Sequence, residues 1–329
     1  MTMPLLDVQG LKTYFLTSVG VVKAVDDVTF QVECGESVGL LGESGCGKSV
    51  TALSIMRLVP DPPGKIIGGR ILLMDRNLLD LSDYKMRMIR GGEIALVPQD
   101  PHTYLNPIMT VGDQIAEAIM LHQGIGKGKA FEKGVEMIKI TGIASPEKVA
   151  NAYAHQLSGG MKQRILIAMA LSCNPSLLIA DEITTALDVT VQAQILELIM
   201  DLQKKFNMSM LMITHDVAVV AEVCKKVIVM YAGKIVEMGD VVSVFKNPTH
   251  PYTDGLLKSV PSITERKKRL QPFEGTVPDL VNMPPGCPLR PRCCWAAEEC
   301  ARKFPAIKEV EPGHFVACYH PLFNAEEEK

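Results

Sequence analysis

The sequence predicts an α/β fold, and three observations carry that expectation. Gly42-Glu43-Ser44-Gly45-Cys46-Gly47-Lys48-Ser49 has the spacing G-x-x-x-x-G-K-S. Before it, Ser37-Val38-Gly39-Leu40-Leu41 is an apolar run of strand length; after it, residues 50–58 have helix length, and Val59-Pro60 marks their end. Further along, apolar runs at 94–97, 176–180 and 209–213 read as strands separated by stretches of helical spacing.

The glycines of this loop let the backbone curl until several N–H groups face one anion. The helix N-terminus behind them adds partial positive charge. Lys48 supplies a mobile cation for β- and γ-phosphates, and Ser49 a hydroxyl for Mg²⁺.

The 329 residues make one large or two smaller domains. A net charge of −3 leaves no basic footprint and 5% aromatic residues supply no base-stacking platform, so nucleic acid is not an expected partner. Residues 1–10 lack the charged and apolar regions of a signal peptide. The most apolar stretch, 165–180, is broken by Asn174 and Pro175 and is too short to span a bilayer. The expectation is a soluble, cytoplasmic chain that serves a membrane only through partners. Of nine cysteines, five crowd between Cys287 and Cys318. Without an export signal, that clustering favours metal or cluster ligation over disulfides.

In chain order, residues 5–8 and 24–32 read as strands, with Tyr14 and Phe15 in the loop after the first. Either ring would stack on an adenine or pack against the sheet. Residues 66–73 form another strand, 78–90 a helix, and 94–97 a buried strand that ends at Pro98-Gln99. A glutamine there would bind Mg²⁺ and orient water, or be a plain surface residue. Val111, Ile115, Ala118 and Ile119 share a helical face, a connector follows at 124–129, and 131–140 is helical again. This predicts a mostly helical insertion, about 101–172, between strands of a nucleotide-binding core. Ser158, Gly159 and Gly160 open a helix to Ser172 with a second anion-receptive N-terminus.

The run 176–182 is a strand ending in two carboxylates: Asp181 suits Mg²⁺, and Glu182, pointing the other way by strand alternation, suits a base for water. Ala186-Leu187-Asp188 precede an amphipathic helix over 191–206. His215 ends the strand 209–213, where a histidine would sense a γ-phosphate. Residues 226–230 and 234–238 form a hairpin about Ala232-Gly233.

Taken in order, the phosphate loop, Gln99, Leu157-Ser158-Gly159-Gly160, Asp181-Glu182 and His215 resemble the ATP-binding subunit of an ABC transporter over residues 4–260. Leu105-Asn106-Pro107, the run from Met109 to Gln114, Met161 in place of the commoner Gln, and Asn247-Pro248-Thr249-His250-Pro251-Tyr252-Thr253 resemble the peptide-importer subgroup. That subgroup imports dipeptides, oligopeptides, nickel and, in some lineages, oligosaccharides. Ile183, Ala154 and Pro98 depart from its usual residues without removing a catalytic group.

The resemblance implies a P-loop NTPase core with an antiparallel β subdomain and a helical insertion, residues 1–260. A loop-rich C-terminal extension would occupy 261–329. It implies that residues 42–49 bind ATP, that Phe15 or Tyr14 stacks on the adenine, and that Ser49, Gln99 and Asp181 hold Mg²⁺. Glu182 would be the general base, His215 would fix the transition-state geometry, and Ser158, Gly159 and Gly160 would contact the γ-phosphate held by a partner cassette. That partner would be a homologous ATP-binding subunit or a second copy. Two membrane permeases and an extracytoplasmic solute-binding protein would complete the transporter, with this chain peripheral on the cytoplasmic face. Two other classes fit less well. Soluble ABC ATPases of repair or translation usually carry paired cassettes or long coiled coils, and an iron–sulfur assembly factor would not need the peptide-subgroup segments.

Cys287-x5-Cys293-x6-Cys300-x17-Cys318 matches the cysteine pattern of the subgroup's extension, and so implies a 4Fe–4S cluster of structural role with those four ligands and without Cys294. Zinc and disulfides are the alternatives.

Overall fold

The computed structural model describes residues 3–185, 187–259 and 275–322. Ala186 and the expected domain boundary at 260/261 lie outside the described residues. The chain divides into two compact units, Leu6–Gln31 with Ser37–Leu79 and Ile213–Lys329, and Met1–Leu5 with Val32–Glu36 and Asp80–Met212.

In the first unit a four-stranded antiparallel sheet runs in the order Gly20–Val32, Leu6–Thr17, Gly64–Leu73, Arg76–Asn77. Leu6–Thr17 pairs with Gly64–Leu73 from Leu6 opposite Leu73 to Phe15 opposite Gly64. Tyr14 and Phe15 are therefore strand residues, not loop residues as the sequence suggested. Gly10, at φ 55°, is absorbed where the register shifts between Gln9 and Lys12. The extra residue moves the buried face from Leu6 and Val8 to Leu11 and Thr13, and the strand continues past the glycine.

The same unit contains Ser37–Leu41, which is buried throughout and parallel to Lys226–Tyr231, with Leu41 opposite Val229. Burial on both faces explains its continuous apolar run. Lys226–Tyr231 turns antiparallel into Lys234–Asp240 through Ala232 and Gly233, both at positive φ (47° and 81°), as the hairpin reading required. The C-terminal strands Lys308–Glu311 and His314–Val316 extend this sheet, with Glu237 opposite Val316. The helix after the phosphate loop is Lys48–Ile55, starting two residues earlier and ending three earlier than expected.

In the second unit the strands Ile94–Val97 and Leu177–Asp181 are parallel, with Val97 opposite Ala180. The helices Val111–Gln123, Lys127–Ile140 and Gly159–Leu171 pack together as the expected helical insertion. Val111, Ile115 and Ile119 are buried, while Ala118 is only half-buried. The single helix expected over 78–90 is instead a 3₁₀ turn, Leu78–Asp80, followed by the helix Asp83–Ile89. Ser82 separates them, because its hydroxyl accepts from Lys85 N–H and caps a new helix start. Among the described residues, no helix is long and apolar enough to cross a membrane.

Candidate nucleotide site

Lys48 is almost fully buried, and its ammonium donates to the carbonyls of Gly42 (2.8 Å) and Glu43 (3.0 Å). The loop thus curls around its own lysine. Gly47 (φ 107°) is the N-cap of the following helix, and a Cβ there would strike the Ala24 carbonyl. Thr51 then donates its hydroxyl to Gly47 O at 2.9 Å, and Gly233 N–H donates to Cys46 O at 2.8 Å, tying the loop to the hairpin. Around Gly45 there is open space.

Adjacent strand positions place Tyr14 and Phe15 on opposite faces of their strand. Tyr14 donates to Asp26 Oδ1 at 2.7 Å, and Asp26 also pairs with Lys234 at 2.8 Å. Burial, and then the bond to Asp26, push the Tyr14 phenol upward. Phe15 is half-buried beside Gly64, where an added Cβ would lie 2.7 Å from its ring. His215 is exposed immediately after the buried strand Ser209–Thr214. Asp216 beside it caps the next helix by accepting from Ala218 N–H at 2.8 Å.

In the unit holding the carboxylates, parallel pairing ends Ile94–Val97 and Leu177–Asp181 at one edge. Gln99, two residues past Val97, therefore meets Glu182, two past Ala180: its amide donates to Glu182 Oε2 at 2.9 Å. Thr185 donates its hydroxyl to the same oxygen at 3.2 Å. Glu182 lies beyond the strand at φ 46°. Strand alternation therefore does not orient it, contrary to the sequence reading; the left-handed turn and the Gln99 bond do. Ser158 caps Gly159–Leu171 as expected, accepting from Met161 N–H at 3.3 Å. Among the described residues, nothing beyond its chain neighbours and its own helix backbone lies within 4 Å of a Cβ added at Gly159. The side-chain oxygens of Ser49, Gln99 and Asp181 are each of the hard type that Mg²⁺ takes.

Cys287, Cys293, Cys300 and Cys318 line one pocket together with His250 and Trp295. Cys294 is exposed and does not line it. Gly286, at φ 79°, permits the approach, since a Cβ there would strike the Cys300 carbonyl, and Cys287 N–H donates to that carbonyl at 2.8 Å. Burial pushes the Cys287 and Cys318 thiols up to about 11 each. Among the described residues no three Cys, His, Asp or Glu side chains are arranged to hold a single metal ion. Sequence reasoning missed Arg292, whose guanidinium bonds the Glu43 carboxylate, and Tyr231, whose hydroxyl accepts from Arg292; it quoted Tyr252 within a subgroup segment but not its hydroxyl's bond from Glu43 N–H.

Residues 25–185 match the ABC transporter family, and residues 236–300 match the oligopeptide/dipeptide transporter C-terminal region. The probable peptide ABC transporter ATP-binding protein y4tR of Sinorhizobium fredii is 51% identical over 96% of this chain and 94% of its own. The oligopeptide transport ATP-binding protein AppD of Bacillus subtilis is 48% identical over 96% of each. An ATP-binding cassette solved as a dimer in a post-hydrolysis state with ADP and Pi aligns with TM-score 0.65 and 25% identity, covering 72% of this chain and 98% of that one. With cassette and extension both matched along nearly the whole length, the chain belongs to the family of peptide ABC transporter ATP-binding proteins.

Proposed function

We propose that the chain hydrolyses ATP to energise the import of di- and oligopeptides through a membrane ABC transporter. The near full-length match to peptide-transport relatives carries this reading, because it spans the cassette motifs and the extension together. Residues 1–260 would form the nucleotide-binding domain and 261–329 the extension. Residues 42–49 bind the triphosphate and Phe15 stacks on the adenine, with Tyr14 tied to Asp26 beside it. Ser49, Gln99 and Asp181 would hold Mg²⁺, which neutralises phosphate charge when bound. Glu182 takes the proton of the attacking water, Gln99 orients that water, and His215 contacts the γ-phosphate.

Two cassettes, this chain and a homologue or second copy, face head to tail. Ser158, Gly159 and Gly160 of one complete the phosphate site of the other, and γ-phosphate contacts close the pair. Permeases docked near 99–111 transmit the closure from the cytoplasmic face, with a solute-binding protein delivering peptide on the other side. The test is ATP turnover by the complex of this chain with its permeases in vesicles. Peptide with its binding protein should stimulate turnover, while nickel or an oligosaccharide should not; stimulation by either instead would overturn the cargo assignment.

Cys287, Cys293, Cys300 and Cys318 would hold a 4Fe–4S cluster that staples the extension. Protein purified without oxygen should carry iron and acid-labile sulfide in equal amounts, about four of each per chain. Cys300→Ser should lower both and Cys294→Ser neither. One zinc per chain would replace the cluster assignment.

A further inference from the structure

We propose that Arg292, supplied by the C-terminal extension, is a positioning residue for the phosphate loop: it neutralises and fixes Glu43, so that the loop meets the nucleotide without a free carboxylate charge. The inference rests on the nucleotide-binding reading above and adds to it a residue far outside the cassette motifs.

Glu43 is the second residue of the loop, a carboxylate in a cradle built for a polyanion. Arg292 grips it with both prongs of its guanidinium, Nη1 to Oε2 at 3.0 Å and Nη2 to Oε1 at 3.2 Å. The arginine side chain is only 5% exposed, so solvent screens this pair less than a surface pair. Nη1 also donates to the Tyr231 hydroxyl at 3.3 Å. The Glu43 backbone is held as well: its N–H donates to the Tyr252 hydroxyl at 2.9 Å, and its carbonyl accepts from Lys48. Tyr231 and Tyr252 are fully buried, with rings 4.6 Å apart. Glu43 is thus fixed at side chain and backbone by groups that themselves have little room to move.

The extension presets the arginine. Arg292 ends the 3₁₀ turn Arg290–Arg292, its N–H donates to Leu289 O at 2.8 Å, and the turn lies between Cys287 and Cys293. Without this cation, the Glu43 carboxylate would repel the triphosphate and compete for the N–H groups that should bind it. A bidentate guanidinium–carboxylate pair removes both effects.

The test measures MgATP affinity of the full-length chain, and KM and kcat of the permease complex. Arg292→Ala should weaken MgATP binding roughly fivefold and raise KM with little change in kcat, and the deficit should shrink at high salt. Adding Glu43→Gln to Arg292→Ala should restore affinity to within about twofold of wild type, because the charge to be neutralised is gone. An arginine that merely docks the extension would show no such rescue, since the double variant still lacks the pair. Should Arg292→Ala not fold, Arg292→Gln makes the same test while keeping most of the stem. Arg302→Ala, which removes an exposed cation paired to Glu298 in the same extension, serves as the control with unchanged affinity.

Affinity within twofold of wild type in the Arg292 variant, or a double variant no better than the single one, would overturn the inference. Lys48→Ala separates the two levels of argument. Wild-type binding that Lys48→Ala abolishes, with Arg292 indifferent, sinks this inference alone; wild-type protein that fails to bind MgATP sinks the nucleotide reading itself.

Discussion

Glu182→Gln should cut ATP turnover about 10²–10⁴-fold while leaving MgATP binding near wild type. The substitution keeps the size of the side chain and an oxygen that can still accept from Gln99, now at 2.9 Å, and from Thr185 at 3.2 Å. What it removes is basicity. The left-handed backbone at Glu182, φ 46°, depends on the turn and not on the carboxylate charge, so the local geometry should survive. A drop of that size is about 3–5 kcal/mol of barrier, the scale of one lost general base. Turnover and nucleotide affinity are measured together, with gel filtration to detect an ATP-closed pair of cassettes. Such a pair should accumulate in the variant, because binding proceeds and hydrolysis does not. A turnover within tenfold of wild type would remove Glu182 as the base and leave His215 as the next residue to examine.

The phosphate loop, Asp181-Glu182 and the buried strands were legible in the sequence because each is a local pattern. Ile94–Val97 is found where the sequence put it, since an apolar run flanked by polar residues has few other places to go. The Ala232-Gly233 turn was legible because tight hairpins require positive φ there. Tyr14 and Phe15 were misplaced because Gly10 looks like a strand end, whereas the fold uses it inside a bulge. Glu182 was read with the orientation of a strand residue, whereas it lies in a left-handed turn just beyond the strand. Arg292 was not legible at all: it reaches Glu43 across 249 positions, and only tertiary packing makes the two neighbours.

Glu237→Ala should undock the C-terminal hairpin, at a cost of about 3–5 kcal/mol, the range for stranding the partners of a buried charge. Glu237 is fully buried in Lys234–Asp240. Its Oε1 accepts from Thr249 N–H at 2.6 Å, from the Thr249 hydroxyl at 2.7 Å and from His314 Nε2 at 2.8 Å, and its Oε2 accepts from His250 N–H at 3.1 Å. One carboxylate therefore joins a sheet strand, the Thr249-His250 loop and the hairpin of the extension. Removing it leaves those donors buried without an acceptor. His250 offers no replacement acceptor, because its Nδ1 already accepts from Tyr252 N–H at 3.1 Å; burial pushes the imidazole itself down to about 4. Burial alone would raise the Glu237 carboxyl, but the hydrogen bonds from His314 and Thr249 outweigh it and hold the carboxyl below its ordinary range. The sign follows from that depression. The stabilisation is complete above the ordinary carboxylate pKa and is lost as pH falls through the lower folded value. Hydrogen exchange of full-length protein at neutral pH should show amides of Lys308–Glu311 and His314–Val316 exchanging on the order of 10²–10⁴-fold faster in Glu237→Ala. Glu237→Gln, which keeps one acceptor oxygen, should fall between the two and flatten the acid limb of hairpin protection. Wild-type exchange rates in the alanine variant would show that the hairpin is held by its backbone pairing to Glu237 and Met238 alone.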